Sequence, residues 1–75
     1  MNEQDLGYTT TVTASIRVWR LLLAEESGWV ADALTKAIAD GHQDEQGRLV
    51  VTLSEQLSTL VLPTLDHKIA EAAND

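Results

Sequence analysis

Residues 40–51, DGHQDEQGRLVV, place oxygen and imidazole groups ahead of a glycine, with an aliphatic residue two places later. That is how a calcium loop begins. An EF-hand loop takes oxygen ligands at positions 1, 3, 5 and 12, with glycine at 6 and an aliphatic at 8. With Gly47 at position 6, Leu49 falls at 8, Asp44 at 3 and Gln46 at 5, but His42 falls at 1 and Leu53 at 12. Those are the two places where a hard cation most needs a carboxylate, and Glu55 comes two residues too late. The spacing predicts a polar turn without calcium, in which Gly41 ends a helix and Gly47 starts a strand.

The other chemical groups are as sparse. His42 with Asp40 and Asp44 could approach a transition metal, but loop residues two apart seldom converge without further ligands. The second histidine, His67, lies 25 residues away. A Ser-His-Asp site needs three groups meeting in space and an oxyanion hole. Nothing marks Ser54 or Ser58 as a nucleophile, and there is no glycine-rich elbow or phosphate loop. The expectation is a protein without metal, cofactor or catalysis.

Trp29 is the side chain best suited to recognition. It opens a helical pattern right after the Ser27-Gly28 break and lies off the apolar stripe. Tryptophan is enriched in binding hot spots. It either folds back onto Trp19 as a core contact or stands exposed, with Glu25 and Glu26 as a salt-sensitive rim. Glu25, Glu26 and Trp29 are the candidate partner-binding residues.

The elements that would position these groups follow from periodicity. Residues 1–7 show none and read as a flexible tail, leaving 8–75 as a single small domain. YTTTVTA (8–14) is rich in β-branched residues, which suit an edge strand. In SIRVWRLLLAEE (15–26), Ile16, Trp19, Leu22 and Leu23 share one side of a helix, capped by Thr13 or Ser15. WVADALTKAIAD (29–40) is the clearest helix, with Val30, Ala33, Leu34, Ala37 and Ile38 on one face and Ser27 as its N-cap. RLVVTLS (48–54) alternates as a strand. Ser54 then caps a last helix, on which Leu57, Val61, Leu65 and Ile69 step by fours. Pro63 sits inside that helix, where it removes a donor and clashes with the carbonyl four residues back, so a kink or two short helices are expected. The fold class is α+β, mostly helical: strand-helix-helix-strand-helix around a small two-stranded sheet.

At 75 residues the chain holds one small core, and without cysteine it has neither disulfides nor thiolate metal sites. The first helix is apolar over more than half its circumference. Burying Val18, Leu21 and Leu22 against a second copy would supply missing core, so a homodimer is expected. The longest uninterrupted apolar run, LLLA, is too short to span a bilayer, and the acidic MNEQDLG start is unlike a signal peptide. These point to a soluble, cytoplasmic protein with no membrane role.

Twelve acidic residues against five basic ones give a net charge of −7, spread along the chain without an acidic tail. Such a field repels phosphate backbones and favours a basic protein partner. Even so, strand, helix, SG, helix is the order of the ribbon-helix-helix repressors, and SGWVADALTKAI resembles that family's second helix. The resemblance covers about 30 residues. It implies a DNA-binding transcriptional regulator whose paired strands enter the major groove. Here that strand would present only Thr9, Thr11 and Thr13, and phosphate contacts need cations.

The sequence therefore reads as a small acidic module for protein-protein interaction. Its size, acidity and lack of cysteine resemble phage and plasmid accessory proteins, inhibitors and antitoxins, including anti-CRISPR inhibitors that would occlude a basic site. The ribbon-helix-helix regulator is the alternative.

Overall fold

The computed structural model describes residues 9–73, so the 1–7 tail and Tyr8 lie outside the described residues. The elements are β1 (Thr9–Ala14), α1 (Ile16–Ala24), α2 (Gly28–Asp40), β2 (His42–Gln43), β3 (Leu49–Ser54) and α3 (Glu55–Ala73). The fold is α+β and mostly helical, with three helices and a three-stranded antiparallel sheet. β3 is central in the strand order β1-β3-β2.

The additional strand is β2. It pairs His42 with Val50 and Gln43 with Leu49. Two exposed polar residues carry no alternation, so periodicity could not find it. β1 and β3 pair without a break from Thr9↔Ser54 to Ala14↔Leu49. Because side chains alternate across a strand, Val51 and Leu53 turn into the core while Thr52 and Ser54 face solvent. Thr11 and Thr52 meet on that open face, their hydroxyl oxygens 3.4 Å apart.

The helices cover the other face. The core gathers Ala14, Val18, Trp19, Leu22, Leu34, Val51, Leu53, Leu57, Val61 and Leu65. Trp19 is its only aromatic residue, so the remainder is aliphatic packing. Serine hydroxyls begin two helices as the sequence suggests: Ser15 accepts from the Val18 amide at 3.1 Å and Ser54 from the Leu57 amide at 3.2 Å. Ser27 occupies the N-cap of α2, but its side chain makes no capping hydrogen bond.

Of the two outcomes expected at Pro63, the split into two short helices does not occur. α3 runs as one 19-residue helix with Pro63 inside it. Leu57 and Val61 are buried before the proline, and Leu65 and Lys68 after it. Packing on both sides therefore holds the helical path. Pro63 and Thr59 are both exposed, so the carbonyl that loses its amide donor lies on the solvent side.

Candidate partner-binding surface

The 40–51 stretch is a hairpin turn built around Asp44. One carboxylate oxygen of Asp44 accepts from the amides of Gln46 and Arg48, each at 2.9 Å, and the other from the Arg48 guanidinium at 3.1 Å. The Gly47 amide donates to the Asp44 carbonyl at 3.1 Å, and the Asp44 amide to the Arg48 carbonyl at 2.8 Å. Gly47 has φ +80, the left-handed geometry that a three-residue hairpin loop requires at its last position. Burial works to raise the Asp44 carboxyl. The two amides and the Arg48 guanidinium outweigh it and hold the group below its ordinary value. The carboxylate that looked like a ligand is occupied in making the turn.

Among the described residues, no three His, Cys, Asp or Glu side chains gather as a metal site would require. Both candidate serines are tied to backbone. Ser54 caps α3, and the buried Ser58 donates to the Glu55 carbonyl at 3.0 Å.

The helix face assigned to a second copy is largely covered within one chain. Val18 is 4% exposed and Leu22 fully buried within one chain, while Leu21 is half-buried. α1 packs mainly against α3, with a smaller contact to α2.

Glu25 also has an internal partner. It is the C-cap residue of α1, and its carboxylate accepts from the Lys68 ammonium at 3.0 Å. Lys68 also donates to Glu71 at 3.3 Å. The bond to Glu25 raises the Lys68 pKa above its ordinary value against the opposing effect of burial, and Glu71 adds to the rise. Glu25 thus joins α1 to α3. It lines a shallow groove with Pro63, Thr64, His67 and Lys68. Glu26 is half-buried.

Trp29 does not fold onto Trp19. It is 56% exposed, whereas Trp19 is 1% exposed. Its groove, of about 490 Å³, is lined by Glu55, Gln56, Thr59 and Leu60 of α3. Leu60 is itself 53% exposed. The structure thus puts Trp29 beside Leu60 and Glu55, and puts Glu25 in a separate groove farther along α3.

No family model matches this chain, and no curated protein or solved structure matches it either. No helix among the described residues is long and apolar enough to cross a membrane.

Proposed function

We propose that this chain is a small, non-catalytic protein-protein interaction module that docks on a basic protein in the cytoplasm, as an inhibitor or antitoxin-like accessory protein would. The observation that carries the reading is the exposure of Trp29 and Leu60 in one groove beside Glu55. An apolar anchor with charges at its margin is the usual anatomy of a binding hot spot. The net charge of −7 supplies long-range attraction to a cationic partner. A module of this kind would occlude a basic channel by seating Trp29 at its margin while its carboxylates compete with phosphate.

Affinity capture from the source cell, with the wild-type chain and with Trp29→Ala/Leu60→Ala, tests the proposal. A basic protein retained by the wild type and lost by the double variant is the expected result, with retention weakening as salt rises. Identical proteins on both baits, or retention of DNA at low salt in place of protein, would overturn it.

A further inference from the structure

We infer that β1 is a docking edge for a second copy of this chain, with the two β1 strands pairing antiparallel about a two-fold axis to join two sheets into one. The inference is independent of the Trp29 groove, which lies on other elements. β1 ends the sheet, and among the described residues no strand pairs with its outer side. Six consecutive residues keep unbroken register with β3, so the strand carries no bulge. It also contains no lysine and no proline. Bulges, lysine and proline are the devices that normally keep an exposed edge from pairing.

Charge selects the occupant. From Thr9 to Ile16, and along the paired Leu49–Ser54, there is no ionisable side chain. In a chain of net charge −7, two copies that meet along these strands bring no carboxylates face to face. A basic peptide would find no carboxylate on the strand, and a phosphate backbone no cation.

The pleat makes the edge self-complementary. Opposed residues must share a sheet face, and Thr9, Thr11 and Thr13 are exposed while Thr10 and Val12 are half-buried and Ala14 buried. A two-fold axis at Thr11 or at Val12 satisfies that rule. Either axis sets threonine against threonine on the open face and keeps both helical layers on the other side. At the Ala14 end of β1, a groove of about 350 Å³ is lined by Ala14, Val18, Ile69 and Ala72 and bordered by Arg48, whose guanidinium is paired with Asp44; Ile69 is 41% exposed. With the axis at Val12, Thr10 of the second copy opposes Ala14 beside this groove. Main-chain pairing with a flanking pocket for side chains is the general form of strand addition.

The test is sedimentation equilibrium from 1 to 500 µM (roughly the span over which small interfaces dissociate), at low and high salt. The expected result is a dimer that tightens as salt rises, because screening relieves like-charge repulsion. Thr11→Lys/Thr13→Lys, on the exposed face, should raise the dissociation constant by about tenfold or more, since like charges then stand opposite one another. Circular dichroism and the melting curve verify that the variant folds. Single Thr11→Cys should cross-link to itself if the axis is at Thr11. Mixed Thr11→Cys and Thr13→Cys chains should cross-link to each other if it is at Val12, since opposed Cα atoms in an antiparallel pair lie within disulfide range. A monomer across the whole concentration range would overturn the inference. So would a dimer indifferent to the lysines and not captured by either cysteine arrangement.

Discussion

The indole N–H of Trp19 donates a 3.1 Å hydrogen bond to the main-chain carbonyl of Leu49, 30 residues later. One side chain thus fills the centre of the core and fixes the first residue of β3 to α1. A buried indole is stable in an aliphatic core when its polar atom has such a partner. Trp19→Phe keeps most of the volume and leaves that carbonyl short of a donor, so it should cost about 1–3 kcal/mol. Trp19→Ala also opens a cavity and should cost about 3–5 kcal/mol. Urea titration of the three proteins measures both, and a Trp19→Phe chain as stable as the wild type would show that the hydrogen bond contributes nothing.

The two tryptophans should separate in solution. Trp29 is exposed and Trp19 buried, so acrylamide should quench part of the emission readily and leave a blue-shifted remainder. Trp29→Ala should remove the quenchable part and change stability by less than about 0.5 kcal/mol, as surface substitutions do. A large loss of stability would place Trp29 in the core.

Pro63→Ala should stabilise the chain. A proline inside a helix costs about 3 kcal/mol, partly offset because it also restricts the unfolded chain by about 0.4–1 kcal/mol. A net gain of about 2–2.6 kcal/mol in chemical denaturation is expected. An unchanged midpoint would mean that α3 already relaxes around the ring.

Gly41 and Gly47 should respond to substitution for different reasons. A Cβ on Gly41 would lie 2.6 Å from the Val50 carbonyl oxygen, although its backbone is extended. Gly41→Ala should therefore cost about 1–3 kcal/mol through overpacking. Gly47 has open space around it but φ +80, so Gly47→Ala should cost about 1–2 kcal/mol through backbone strain. Gly47→Asn should cost less than Gly47→Ala, whereas no residue larger than glycine suits position 41. Melting curves of the three variants decide the order.

Asp44 should make stability acid-sensitive. Its folded pKa lies below the ordinary 3.8, so the unfolded chain takes up the proton first. The contribution is full above the ordinary value and fades as pH falls through the depressed one. Asp44→Asn keeps an oxygen for the two amides but loses the charge. It should be less stable than wild type at pH 7, with the two curves converging as pH falls below the depressed value. A gap that stays constant with pH would mean that the charge of Asp44 does not support the turn.

Local chemistry was enough to place most of the chain. The apolar stripes of α1 and α2, the alternation of β3 and the capping hydroxyls of Ser15 and Ser54 each depend on neighbours a few residues away, so the sequence shows them directly. The polar turn at 44–48 was legible for the same reason, since Asp44 and Gly47 act within a single loop. Three features depend on residues distant in sequence. β2 exists because β3 lies beside His42 and Gln43. α3 survives Pro63 because buried side chains before and after it hold the path. Val18 and Leu22 are covered within their own chain, chiefly by α3, while Trp29 stays outside beside Leu60. An apolar residue carries the same hydrophobic signal whether its cover comes from its own chain, from another molecule or from nothing. Tertiary packing alone decides which.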